Sequence, residues 1–168
     1  MAWPQQPPAQ PSPPGPARAP TSGLSVPALI AGISGLLTFL FSFVQIVKVD
    51  NAFVDAGASV WTTDFGLFGI GTWIPLFALA AGGIAMARAL VAGLDDRELA
   101  GFTPRQVQLV ALAFAVLVWL GYLVNAIVAE ALTPALGMFL LFLGLAGVAA
   151  GSAMDVVGVG RTASGLGS

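Results

Sequence analysis

The 168-residue sequence contains no cysteine and no histidine. Without thiols the chain forms no disulfide and has no cysteine nucleophile. Without imidazoles it lacks the commonest general base and the usual zinc and haem ligands. These absences exclude most familiar enzyme and metal chemistry, so the sequence predicts a non-catalytic protein with no cofactor and no metal site.

Charged residues are also scarce. Only 8% of the residues are charged and 57% are hydrophobic, with a mean hydropathy of +0.91, whereas soluble domains average about 25% charged residues. The six basic residues form no run that could follow a phosphate backbone, which argues against nucleic-acid binding. The composition therefore indicates that a lipid bilayer is the main partner of the chain.

Residues 1–23 hold eight prolines among glutamine, alanine and serine. Such a segment cannot bury a core, so we predict a disordered cytoplasmic tail with polyproline II character. Its PxxP spacings fit either a peptide that binds an aromatic groove or a plain solvated tail. Residues 24–157 form the predicted membrane domain, and residues 158–168 form a flexible C-terminal tail.

Four apolar stretches are long enough to cross about 30 Å of hydrocarbon as helices, and none has the polar stripe of a soluble bundle. The predicted fold is an all-α, integral membrane four-helix bundle. Residues that favour helix starts stand before or within the first turn: Ser25 with Pro27, Thr72 with Pro75, Thr103 with Pro104, and Thr133 with Pro134. The predicted spans are about 26–47, 73–94, 104–129 and 134–154.

Two alternatives remain open at the first two spans. The first stretch could be a signal peptide cleaved near Ala58, although its apolar region is long and its basic start is almost missing. The second helix could begin near Phe65 and be kinked at Pro75, instead of starting at Trp73.

The distribution of basic residues predicts the orientation of the four spans. Five arginines fall on the side shared by both termini and the loop between spans two and three, and only Lys48 falls on the other side. The excess of basic residues places both termini in the cytoplasm of a multi-pass plasma-membrane protein. The five are Arg18, Arg88, Arg97, Arg105 and Arg161.

The first outer segment, from Lys48 to Thr72, combines acidic and aromatic residues and is the predicted partner contact. An alternative is that its aromatic rings only anchor the chain in the headgroup layer, as we also expect for Trp119 and Tyr122. The candidate contact residues are Phe53, Trp61, Asp50, Asp55 and Asp64.

Small residues recur four positions apart within the spans, which lets helix backbones approach closely in lipid and favours a compact bundle or self-association. The candidate packing residues are Gly32, Gly35, Gly82, Gly147 and Gly151. Uncharged polar residues in the spans, among them Thr38, Gln108 and Asn125, are expected to form hydrogen bonds between helices.

Two motifs that resemble catalytic sites have simpler explanations. Gly32 to Gly35 reads GISG, as in rhomboid-type intramembrane proteases, but that serine requires a histidine base. The acidic cluster of Asp95, Asp96 and Glu98 resembles a divalent-cation site, but Arg97 lies among the acids. We therefore interpret it as a solvated cytoplasmic turn.

The layout of a proline-rich end, four spans and a longer acidic first outer loop resembles small mycobacterial and actinobacterial membrane proteins of unknown function. Antigenic four-span proteins with proline-rich tails are the named examples. Because neither motif is interpreted as a catalytic site, we expect an accessory or scaffold subunit of a cell-envelope or membrane complex. Such a subunit contacts other membrane proteins. The alternative is a small oligomeric channel or transporter.

Overall fold

The computed structural model describes residues 24–49, 57–62, 68–98, 100–128 and 132–159. The predicted N-terminal tail and nearly all of the predicted C-terminal tail lie outside these segments. Helices make up most of the described chain, joined by three short strands. In chain order the elements are α1 (Val26–Phe41), β1 (Val47–Val49), β2 (Gly57–Ala58), α2 (Phe68–Gly71), α3 (Trp73–Leu90), α4 (Pro104–Val128), β3 (Leu132–Pro134) and α5 (Leu136–Val157).

Three helices are long and apolar enough to cross a membrane: Gly69–Leu90, Pro104–Val128 and Leu136–Val157. They correspond to the second, third and fourth predicted spans. The third has nearly the predicted bounds, the second ends about one turn earlier than expected, and the fourth is displaced by two to three residues. By length and composition, the sequence prediction is confirmed for these three.

The first predicted span differs from the structure at its end. Helix α1 has 16 residues, which is about 24 Å at 1.5 Å per residue, and it ends at Phe41 instead of Val47. The Ser42 N–H still bonds to the carbonyls of Thr38 and Phe39, and the chain then turns into β1. Val44, Ile46, Val47 and Val49 are β-branched, and such residues favour a strand where partners are available.

Those partners form a small sheet, which corrects the all-α prediction. The strand order is β2-β1-β3 and both pairings are antiparallel, with Val47 opposite Ala58 on one side and Pro134 on the other. The sheet lies where α1 and α4 end and α3 and α5 begin. We call this the sheet end of the molecule, and the opposite end, with the connection between α3 and α4, the loop end.

Two of the four predicted helix caps are confirmed. The Ser25 hydroxyl accepts the N–H of Ala28 at 3.4 Å at the start of α1. At α4 the Thr103 hydroxyl accepts the N–H of Gln106, while the Gln106 amide oxygen accepts the N–H of Thr103. This reciprocal pair is a capping box, which satisfies two backbone donors that the helix leaves unpaired.

Of the other two predicted caps, Thr133 is wrong and Thr72 is confirmed only in its position. Thr133 lies in β3 opposite Lys48, and α5 begins after Ala135, because pairing with β1 holds the chain extended at this point. Helix α3 begins at Trp73 with Thr72 as its N-cap residue, as predicted, but the Thr72 hydroxyl donates to the carbonyl of Gly69 and makes no capping bond to α3. Only Thr72 separates α2 from α3. The later of the two proposed starts, Trp73, is where α3 begins, and the earlier one, near Phe65, lies close to the start of α2 at Phe68.

The long helices α1, α3, α4 and α5 pack side by side, with α1 between α3 and α5, and α4 against the other side of α3. The buried stripe of α1 consists of small residues at alternating spacings of three and four, which is the periodicity of a close helix contact. These residues are Ala28, Ala31, Gly35 and Thr38 of α1, continued by Ser42 at its C-cap.

Candidate functional site

A polar network occupies the interior of the loop end. Its centre is Arg88, in the last turn of α3, whose side chain is only 8% exposed. The Arg88 guanidinium donates two hydrogen bonds to the carboxylate of Asp95, which follows α3. Nε donates to Oδ1 at 2.5 Å, and Nη2 donates to Oδ2 at 3.2 Å. A guanidinium bound to both oxygens of a carboxylate is the strongest common form of this pair.

The third guanidinium arm extends the network to the other helices. Nη1 of Arg88 donates to the amide oxygen of Gln108 on α4 at 2.8 Å and lies 3.0 Å from a carboxylate oxygen of Asp155 on α5. The Gln108 amide in turn donates to the Ser152 hydroxyl at 2.8 Å, and that hydroxyl donates to the carbonyl of Val148. One arginine thus connects α3, α4, α5 and the loop. We call Arg88, Asp95, Gln108, Ser152 and Asp155 the Arg88 network.

The two sides of the network differ in exposure to water. Gln108 and Ser152 are buried, whereas Asp95 has a side chain that is 54% exposed. A buried guanidinium is tolerable only when its charge and its donors are matched, and two carboxylates and an amide oxygen do this here. In the described part of the chain, every buried side-chain nitrogen or oxygen has a partner, and no three His, Cys, Asp or Glu residues group as metal ligands would.

The sequence prediction missed this network. From the sequence, Arg88 is predicted only as one of the cytoplasmic arginines, Asp95 is interpreted as part of a solvated turn, and Asp155 has no predicted role. The expectation for Gln108, a hydrogen bond between helices, is confirmed. One signal was present: in antiparallel helices, the last turns of α3 and α5 lie beside the first turns of α4, which brings Arg88 and Asp155 to the level of Gln108.

At the sheet end, the structure places one of the five predicted contact residues. The Trp61 indole N–H donates to the hydroxyl of Ser42 at 2.7 Å, and its ring stacks on Phe43 at 5.4 Å and meets Phe39 edge-on at 6.0 Å. Trp61 therefore fastens the segment after β2 to the end of α1. Whether it also contacts a partner stays a prediction. Phe53, Asp50, Asp55 and Asp64 lie outside the described residues.

The expected aromatic belt is wrong for Trp119. This residue is 8% exposed, its indole N–H donates to the Met138 carbonyl at 3.1 Å, and its ring stacks on Phe142 at 5.2 Å. Trp119 therefore joins α4 to α5 inside the molecule. Tyr122 is half-buried and its ring packs against Gly71, which follows from the position of α2 beside α4.

The candidate packing glycines lie at contacts between helices. A Cβ on Gly82 of α3 would be 2.7 Å from the Ala31 carbonyl oxygen and 3.3 Å from the Cα atoms of Gly32 and Gly35. A Cβ on Gly151 of α5 would be 2.7 Å from backbone atoms of α1. Gly32 also faces the side chain of Met86, and Gly147 faces that of Ser34.

No protein-family model, no curated protein and no solved structure matches this chain. Function is therefore inferred from the geometry of its own residues.

Proposed function

We propose that this protein is a non-catalytic, four-span scaffold or accessory subunit of a complex in the plasma membrane of an actinobacterial-type cell envelope. The observation that carries the proposal is the close packing of α1 against both α3 and α5. At Gly82 and Gly151 the backbones approach so closely that a single Cβ would collide with the neighbouring helix. Because helix backbones fill the centre of the bundle, the packing supports a structural role better than a transport pathway through a single copy of the protein.

The position of α1 supports a fourth span. Helix α1 is shorter than the other three long helices, yet it packs between α3 and α5, which belong to segments long enough to cross a bilayer. Its exposed face carries only apolar side chains among its large residues, such as Ile33, Leu36 and Leu40. An apolar outer face and a position between two such helices support the placement of α1 in the hydrocarbon beside them.

The charges support an orientation with the loop end in the cytoplasm. Arg88, Arg97 and Arg105 belong to the loop end, and Arg18 and Arg161 lie beyond α1 and α5 on the same side of a four-span chain. The sheet end has Lys48. Basic residues near span ends are retained in the cytoplasm, so both termini would be cytoplasmic and the sheet external.

The test is affinity purification of the full chain from native membranes in mild detergent, comparing two variants. Asp50→Asn/Asp55→Asn/Asp64→Asn changes the acidic segment between β1 and α2 in the sequence. Asp96→Asn/Glu98→Gln removes acidic charges at the loop end and serves as the matched control. We expect defined partner proteins to co-purify with the natural chain and the control, and to be lost from the first variant.

Two outcomes would contradict the proposal. One is purification of the natural chain alone, even after chemical cross-linking in the membrane. The other is ion or solute flux through proteoliposomes that contain only this protein, which would support the alternative of a small oligomeric channel or transporter.

A further inference from the structure

The contact between α4 and α5 is the weakest of those that join sequence-adjacent long helices in the described part of the chain. Helix α5 packs mainly on α1, and α4 packs mainly on α3. Side-chain hydrogen bonds join α4 to α5 near both ends: Trp119 to the Met138 carbonyl toward the sheet end, and Gln108 to Ser152 at the loop end.

Backbone hydrogen bonds fix the sheet end of this contact. The N–H groups of Ala135 and Gly137 donate to the carbonyls of Ile46 and Gln45, each at 2.9 Å, and β3 pairs with β1 along its length. These bonds anchor the start of α5 to the segment that follows α1. They do not depend on any ionised group.

At the loop end the hydrogen bonds between the helices are made by side chains: Gln108 bonds directly to Ser152, and one guanidinium contacts both α4 and α5. Nη1 of Arg88 contacts both Gln108 on α4 and Asp155 on α5, so the same group positions both helices. Asp95 supplies two of the guanidinium contacts and is half exposed on the connection between α3 and α4. Water and ions therefore have direct access to the network, and so does a partner that moves this loop.

We propose that the Arg88 network is a latch that closes the loop end of the contact between α4 and α5. Displacing the loop that carries Asp95 removes one of the two carboxylates that match the buried Arg88 charge, which weakens the hold on Gln108 and Asp155. The two helices then separate at the loop end and remain joined at the sheet end. This device does not depend on the proposed scaffold role.

Distance measurements between spin labels can test the latch, and the absence of cysteine makes labelling specific. One cysteine pair, Leu109→Cys with Val156→Cys, reports on the loop end of α4 and α5. A second pair, Leu120→Cys with Phe139→Cys, reports on the sheet end. All four positions are exposed, so the labels need not enter the core. Each pair is measured by double electron–electron resonance in liposomes, in the natural background and in four variants.

The latch variants are Arg88→Gln and Asp95→Asn, and the matched controls are Arg97→Gln and Asp96→Asn. We expect both latch variants to shift the loop-end distances to longer values and to leave the sheet-end distances unchanged, while the controls resemble the natural chain. If Arg88→Gln does not accumulate, Asp95→Asn decides by the same criterion. Unchanged loop-end distances, equal broadening at both ends, or an equal shift in the controls would each overturn the proposal.

Discussion

Gly82 and Gly83 are neighbours on α3 with opposite surroundings. A Cβ on Gly82 would meet backbone atoms of α1, whereas a Cβ on Gly83 would meet nothing within 4 Å. Backbone cannot move aside as a flexible side chain can, so a methyl group at position 82 must push two helices apart. The pair therefore separates the effect of close packing from the ordinary effect of removing a glycine from a helix.

We expect Gly82→Ala to destabilise the folded protein by about 1–3 kcal/mol, the usual cost of overpacking a filled core. Gly83→Ala should be neutral or stabilise by up to about 1 kcal/mol, because alanine has the higher helix propensity. Reversible unfolding in mixed micelles measures both free energies. Equal effects of the two substitutions would show that α1 and α3 do not approach closely at Gly82.

Some single residues were predictable because their role is local. Ser25 caps α1 and Thr103 caps α4 as their neighbours in sequence suggest. Thr133 has the same local pattern, but it lies in β3, because pairing with β1 from a distant part of the chain overrides the local preference. Local chemistry therefore indicates where a helix can begin, and non-local pairing decides whether it does.

At the scale of elements, the bond between Trp61 and Ser42 joins the segment after β2 to the end of α1. The indole N–H has its acceptor at 2.7 Å, and the Ser42 side chain is buried. This bond lies beside the turn at which α1 ends, before the chain enters β1. It therefore contributes to holding the sheet against the helices.

Trp61→Phe and Ser42→Ala should each destabilise the protein by about 0.5–1.5 kcal/mol, since each removes one side of this hydrogen bond. The phenylalanine keeps an aromatic ring near Phe39 and Phe43, so the change tests the bond more than the packing. Thermal unfolding in nanodiscs would measure the single and double variants, with Trp73→Phe as a control on an exposed tryptophan. The double variant should cost less than the sum of the two, and strict additivity would contradict a direct bond.

Hydropathy predicted the three longer helices well but did not locate the end of α1. Residues 26–47 form one apolar run, and hydropathy alone does not distinguish a helix from the strand that follows it. The same limit hid the Arg88 network, because its five members come from two helix ends, one helix start and a loop. Their contacts follow from the packing of the helices, which the sequence does not state.

For the whole molecule, α1 decides between a three-span and a four-span protein. It has the fewest residues of the long helices, and it lies between α3 and α5. If α1 crosses the bilayer, the N-terminus lies on the side of the Arg88 network. If it does not, the N-terminus lies on the side of the sheet.

Labelling of single cysteines with a membrane-impermeant maleimide tests this most directly, because the natural chain has no cysteine. The positions are Ser22→Cys, before α1 in the sequence; Ala56→Cys, between β1 and β2 in the sequence; and Arg97→Cys, at the loop end. We expect Ala56→Cys to react in intact cells, and Ser22→Cys and Arg97→Cys to react only after the membrane is permeabilised. Reaction of both Ser22→Cys and Ala56→Cys in intact cells, with Arg97→Cys protected, would show that α1 does not cross the bilayer and would contradict the four-span proposal.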